Sequence, residues 1–390
     1  MALPRRLCVL AALSSLVAAC SSPAAPPAST SSTPAPTMAA TAAPAPAAEP
    51  VVPACGDGPA LLASMSTRDK LAQLLMVGVT GAADARSVVD SQHVGGIFIG
   101  SWTDLSMLSD GTLAAIAESG PLPLAVSVDE EGGRVSRLSP LIGSQPSPRV
   151  LAGSHTPEEV YNIALARGQA MRKLGITIDF APVVDVTDAP DDTVIGDRSF
   201  GADPTRVTDY AGAYARGLRD AGLLPVLKHF PGHGHGSGDT HTGSVVTPPL
   251  SDLRNNDLIP YRTLTAQAPV GVMVGHIQVP GLTGSDPASL SPAAYALLRS
   301  GDYGGPGFNG PVFTDDLSSM QAISDRMGVS EAALRGLQAG ADTALWVTTD
   351  EVPAVLDRLE KALAAGELTM PRVDASVLRM AAVKGRNSRC

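Results

Sequence analysis

One stretch of fourteen residues carries the densest set of reactive side chains in the chain: Lys228-His229-Phe230-Pro231-Gly232-His233-Gly234-His235-Gly236-Ser237-Gly238-Asp239-Thr240-His241. Four of the seven histidines fall within it. Its glycines prevent regular helix or strand, so it reads as a loop able to approach a ligand closely. Three chemistries fit these residue types. The histidines could be merely solvated, or could join Asp239 in holding a metal ion. The third is acid/base catalysis, with Asp239 two residues from His241, able to orient its ring and raise its basicity. The spacing matches no familiar zinc helix motif, which weakens the metal reading, but spacing alone leaves all three open.

Such a loop needs a scaffold, and the surrounding sequence describes one. From about residue 57, short apolar runs alternate with amphipathic helical stretches. The runs are Leu74–Val79, Gly96–Ile99, Leu124–Val128, Thr177–Ala181, Leu224–Leu227, Gly271–Val274, Val312–Thr314 and Thr343–Trp346. Helix starts are marked too. Thr156-Pro157-Glu158-Glu159 combines an N-cap, a first-turn proline and a capping glutamate, and Asp203-Pro204 opens the next helix similarly. Strands alternating with helices imply parallel pairing, and eight such units predict a single (β/α)8 barrel of α/β class. Polar residues follow the runs: Asp129 the third, Asp185 the fourth, Lys228 and His229 the fifth, His276 the sixth and Asp315 the seventh. In a barrel these positions ring the carboxyl-terminal mouth, where catalytic groups gather. Five in a row are hard to attribute to chance.

Six motifs in order carry a resemblance. They are Asp129-Glu130-Glu131-Gly132-Gly133-Arg134-Val135-Ser136-Arg137, Phe180-Ala181-Pro182-Val183-Val184-Asp185-Val186, Asp197-Arg198-Ser199-Phe200-Gly201, Lys228-His229-Phe230-Pro231-Gly232-His233-Gly234, Asp239-Thr240-His241 and Phe313-Thr314-Asp315-Asp316-Leu317. Over roughly residues 60 to 350 the chain resembles the bacterial single-domain β-N-acetylglucosaminidases of glycoside hydrolase family 3, the NagZ group. That resemblance implies a (β/α)8 barrel as well. It places the nucleophile on Asp315 and the acid/base on His241, with Asp239 as dyad partner on a mobile loop. It places sugar-binding roles on Asp129, Arg137, Arg198, Lys228 and His229. Glu130 stands where many relatives carry glutamine, and Thr240 where many carry serine; both changes preserve polarity. Arg137 and Arg198 also admit a structural role as salt bridges beneath the mouth. Asp185 and His276 are read as support, and His233 and His235 are undecided.

The expected activity is retaining, exo-acting release of terminal N-acetylglucosamine from cell-wall glycans or muropeptides, with no metal or organic cofactor. Two alternatives stand beside it. A phosphorylase is one, because a histidine acid/base lacks the charge that would repel phosphate. The other is a non-catalytic glycan-binding lipoprotein.

The remaining sequence speaks to location. Arg5 and Arg6 precede an apolar run, Leu7 to Ala19, too short to span a bilayer comfortably. Leu16-Val17-Ala18-Ala19-Cys20 resembles a lipobox, which implies a signal peptide over 1–19 and acylation of Cys20. The product would be tethered outside the cytoplasm without a transmembrane helix. Residues 20–56 form a linker rich in proline, alanine, serine and threonine; nine of the 33 prolines lie between 21 and 54. Such composition cannot repay its ordering entropy. The catalytic domain then occupies 57–390. Of four cysteines, Cys8 leaves with the signal, and Cys55 and Cys390 remain to pair with each other outside the cytoplasm. Loss of 1–19 removes two arginines and no acid, leaving 26 basic against 38 acidic residues and a net charge of −12. That disfavours a nucleic-acid partner. The expected partners are the glycan and the membrane, and the expected state is a monomer.

Overall fold

The computed structural model describes residues 58–267 and 269–384. The signal peptide, the linker with Cys20, and both Cys55 and Cys390 lie outside the described residues. Eight parallel strands are present: β1 (Leu75–Val79), β2 (Gly96–Ile99), β3 (Ala125–Val128), β4 (Ile178–Asp179), β5 (Leu224–Phe230), β6 (Gly271–Val274), β7 (Val312–Thr314) and β8 (Ala344–Trp346). They pair in chain order from β1 to β7, and β8 lies against β1 with Leu75 opposite Ala344. The ring closes just ahead of β8, where Phe313 bridges Thr343 and the Thr314 N–H donates to the Thr343 carbonyl at 3.1 Å. The result is the (β/α)8 barrel expected from the sequence.

The strands form because their residues can be buried on both faces. Every residue of β1, β2, β3, β6, β7 and β8 is buried, as parallel strands covered by helices require. Alternate side chains then separate into two cores. Met76, Phe98, Phe180, Met273, Phe313 and Leu345 fill the barrel interior, whereas Leu75, Val77, Ile97 and Ile99 face the helix layer. Phe180 packs between Phe98 and Phe313 at centroid distances of 5.9 and 5.5 Å. The barrel is therefore a packed core with a site only at its mouth.

Two strands differ from their expected bounds by more than one residue at an end. β4 is short because its continuation passes through Pro182, which has no N–H to donate. Pairing nevertheless persists, since the Val226 N–H reaches the Ala181 carbonyl at 2.9 Å and Val183 bridges Lys228. β5 is longer and runs through Lys228 and His229, with an irregular register against β6 between Leu227 and Phe230. The expected helix starts are both present. Thr156 and Glu159 form a capping box, and the Asp203 carboxylate accepts the Thr205 N–H at 2.9 Å.

Candidate active site

The residues that line the pocket at the carboxyl-terminal mouth arrive on strand ends and on the loops that follow. Asp129 follows β3, Lys228 and His229 belong to the end of β5, and Asp315 follows β7. Together with Arg137, Arg198 and His241 they line one pocket of about 210 Å³. Every residue assigned to sugar binding or to the two catalytic roles is thus brought to one place. Asp239 stands just behind, bonded to His241.

Backbone alternation sorts the three acids of Asp129-Glu130-Glu131. Asp129 and Glu131 face the pocket, and Glu130 faces away. Lys228 places its ammonium 2.6 Å from both Asp129 Oδ1 and Glu131 Oε1. Arg198 grips Glu131 through Nε at 2.7 Å and Nη2 at 2.8 Å, a bidentate pair. Burial disfavours the Glu131 charge, but Arg198 and Lys228 outweigh it and hold the carboxyl below its usual range. The same balance holds Lys228 charged despite burial, through Asp129 and Glu131. Glu131 is the hub of this network, and the sequence analysis did not single it out. Its position two residues after Asp129 was the available signal. Of the two arginines read as possible salt bridges, Arg198 makes one and Arg137 does not. The Arg137 guanidinium lines the pocket with no side-chain partner among the described residues.

Glu130 is buried on the other side. It accepts the N–H groups of Arg137 and Leu138 at 2.8 Å each, the Arg167 guanidinium at 2.5 Å, and the Ser136 hydroxyl. It anchors the turn that presents Arg137 and does not touch the pocket.

Each histidine of the long loop, except one, spends Nδ1 on an aspartate. His229 bonds Asp185 Oδ2 at 2.7 Å, and the other Asp185 oxygen accepts the N–H groups of His229 and His233. Burial opposes the Asp185 charge, while His229 and these N–H groups hold the carboxyl below its usual range. An ionised Asp185 can only accept, so Nδ1 of His229 carries the proton and Nε2 is left for a ligand. His235 bonds Asp257 at 3.1 Å. His241 bonds Asp239 Oδ1 at 2.7 Å, and the same oxygen accepts its N–H at 2.9 Å. Its side chain is 58 % exposed, so the ring is open to solvent. The loop is tied to the segment after β7, where the Ala322 N–H donates to the Thr240 carbonyl at 3.1 Å. His233 is the exception: it is buried at the pocket wall with neither ring nitrogen bonded. Burial first, then His229, push its pKa down, so it is neutral. Among the described residues, no group of three or more His, Cys, Asp or Glu is arranged to hold a metal ion.

Asp315 and Asp316 are adjacent but unlike. Asp316 is committed to its own turn, accepting from the N–H and hydroxyl of Ser318 and of Ser319. Among the described residues Asp315 accepts only the Asp316 N–H, at 2.9 Å, and opens to the pocket. Burial would raise its pKa, but His276, His229, the Asp316 N–H and Lys228 bring it down to about 2. His276 supports this turn from beneath, with Nε2 2.7 Å from the Asp316 carbonyl and Nδ1 2.6 Å from Ser289 Oγ. Asp185 and His276 thus do the supporting work expected of them.

A carboxylate kept ionised and an exposed imidazole bonded to an aspartate, lining one polar pocket above a β/α barrel, give the mouth the equipment of a glycoside hydrolase. Comparison with known proteins gives the family. Residues 66–383 match the model described as the glycosyl hydrolase family 3 N terminal domain, and the chain belongs to that family. It is 66 % identical to the beta-hexosaminidase LpqI of Mycobacterium tuberculosis, across the whole of both chains. A beta-hexosaminidase of Stenotrophomonas maltophilia is 32 % identical over 70 % of this chain and 82 % of its own. Among solved structures, that of M. tuberculosis LpqI is 70 % identical with a TM-score of 0.85, covering 87 % of this chain and 100 % of that one. A family 3 β-N-acetylglucosaminidase from Paenibacillus is 34 % identical with a TM-score of 0.76, covering 82 % of this chain and 62 % of that one. The protein is therefore a family 3 glycoside hydrolase.

Proposed function

We propose that the chain is a retaining, exo-acting β-N-acetylglucosaminidase that removes terminal N-acetylglucosamine from cell-wall glycans. The observation that carries this reading is the contrast between Asp315 and Asp316. Of the two, Asp315 faces the pocket with a single hydrogen bond among the described residues, and its low pKa keeps it ionised near neutrality. In the proposed first step Asp315 attacks the anomeric carbon and forms a glycosyl ester as the bond to the leaving oxygen breaks. His241 gives that oxygen its Nε2 proton. In the second step neutral His241 takes a proton from water, whose oxygen attacks the same carbon and frees Asp315. Two displacements retain the stereochemistry. Asp239 orients the ring and balances the charge it gains, so one imidazole can serve both proton transfers. Asp129, Lys228, His229, Arg198 and Arg137 hold the sugar hydroxyls and fix the ring over Asp315. The names of the relatives support the choice of an N-acetylhexosamine.

Export and lipid anchoring at Cys20 belong to the same proposal, supported by Arg5-Arg6, the run Leu7–Ala19 and the lipobox ending in Cys20; a monomeric state is proposed with them. Among the described residues no helix is long and apolar enough to cross a membrane. Phosphate remains a second acceptor to consider, because the acid/base is not a carboxylate and Arg137 offers an uncommitted guanidinium. The test is incubation of the soluble domain with an aryl N-acetylglucosaminide and defined muropeptides, with and without phosphate. Release of free N-acetylglucosamine at a rate independent of phosphate supports the hydrolase. Sugar 1-phosphate as the product would convert the reading to a phosphorylase, and no release from either substrate would refute it.

A further inference from the structure

Trp102 has no task in the account so far. It is 45 % exposed, whereas the other tryptophan of the chain, Trp346, is fully buried. Yet the turn that carries it is firmly held. The Gly100 N–H donates to Thr103 Oγ1 at 3.0 Å, that hydroxyl donates to the Val79 carbonyl at 2.6 Å, and the Asp104 N–H reaches the Thr80 carbonyl at 2.9 Å. A Cβ on Gly100 would fall within the indole, so the ring lies directly over that residue's backbone. Phe98 packs beside it with centroids 6.0 Å apart. A large aromatic held in place yet left partly in water at a pocket rim offers a ligand a flat apolar face.

Its location says what it could bind. Trp102 lines the catalytic pocket and also a second hollow of about 440 Å³ at the same mouth. That hollow runs across the carboxyl ends of β8, β1 and β2, and its polar lining is Thr80, Asp84, Thr348, Thr349 and Asp350. Asp84 is fixed by Thr80 and Thr349, with Thr349 Oγ1 at 2.7 Å, while the Asp350 carboxylate has no partner among the described residues. The sugar-gripping side chains come from β3, β5 and the loops after β3 and β4, and the proposed nucleophile comes from the end of β7. The hollow therefore begins on the strand next to β7, which Asp315 follows, and it shares Trp102 with the catalytic pocket.

We propose that Trp102 and this hollow form the leaving-group subsite, in which the sugar ring beyond the cleaved bond lies on the indole with its hydroxyls toward Asp84, Thr349 and Asp350. The inference rests on the glycosidase reading above. It makes Trp102 a specificity residue for ring-bearing leaving groups.

The test compares two substrates that differ only in the leaving group: N-acetylglucosaminyl fluoride, which has no second ring, and the β-1,4-linked disaccharide of N-acetylglucosamine. Trp102→Ala is expected to lower kcat/KM for the disaccharide at least tenfold relative to that for the fluoride. Trp102→Tyr, which keeps an aromatic face, holds the ratio within about threefold of the parent. Trp102→Leu, of similar bulk without that face, behaves as the alanine variant and decides the matter if alanine prevents folding. Equal losses on both substrates, or an unchanged ratio in both non-aromatic variants, would overturn the subsite. A parent enzyme that cleaves neither substrate would instead indict the glycosidase reading.

Discussion

Two parallel hydrogen bonds, 2.7 and 2.8 Å long, join the Arg198 guanidinium to the buried Glu131 carboxylate. Arg198 is therefore structural and functional at once, whereas Arg137, in the same pocket, has no such bond. Arg198→Ala is expected to destabilise the fold by about 3 kcal/mol, because it strips one partner from a buried charge. It should cut kcat/KM as well. Arg137→Ala should raise KM about tenfold and leave the unfolding midpoint in urea where it was. Similar losses of stability in the two variants would show that Arg137 has an unrecognised structural partner.

Asp179 predicts a pH effect on stability. It lies fully buried with Oδ1 accepting the Glu130 N–H at 3.0 Å and Oδ2 unbonded. Burial, reinforced by the Glu130 carboxylate, pushes its pKa well above the usual range. The folded protein thus keeps the proton at a pH where the unfolded chain, with a pKa of about 3.9, has released it. Releasing that proton favours unfolding, so this residue costs stability as pH rises above about 4. Asp179→Asn removes the titration and is expected to raise Tm at pH 7 while changing it little at pH 4. A gain as large at pH 4 as at pH 7 would show that Asp179 does not titrate in this way.

The nucleophile makes a kinetic prediction. Asp315 must be ionised to attack, and with a pKa of about 2 it is ionised throughout the neutral and mildly acidic range. In His241→Ala, with a dinitrophenyl leaving group that needs no proton, kcat/KM should be flat between pH 4 and pH 8. An acid limb centred between pH 4 and pH 6 would mean that another carboxyl must also be ionised. The same variant should fall at least a hundredfold on the disaccharide, whose leaving oxygen needs the His241 proton.

The barrel was legible because its strands are buried on both faces and read as unbroken apolar runs, such as Leu75–Val79 and Gly271–Val274. Polar residues just past those runs marked the mouth, and Asp129, Lys228, His229 and Asp315 all lie there. Strand ends were less legible where backbone chemistry intervenes. Pro182 lies in the continuation of β4, and β5 runs three residues farther than its apolar run suggests, through Lys228 and His229 to Phe230. Within Asp129-Glu130-Glu131 the residue types are nearly identical, so only alternation separates the pocket-facing Glu131 from Glu130 beneath it. The long loop was ambiguous for a different reason. Its histidines are distinguished by partners remote in sequence, Asp185 for His229 and Asp257 for His235, which spacing cannot reveal. Trp102 was equally hidden, since nothing local says that Gly100 leaves the indole in solvent.

Direct trapping of the covalent intermediate tests the central claim most sharply. The reagent is an N-acetylglucosaminyl fluoride bearing a second fluorine at C5, whose glycosyl ester forms faster than it hydrolyses. After digestion, mass spectrometry is expected to find one added sugar on the peptide containing Asp315, with fragmentation placing it on that residue. The adduct should be absent from Asp315→Ala. Attachment to Asp316 or to any other side chain, or undiminished turnover in Asp315→Ala, would contradict the account.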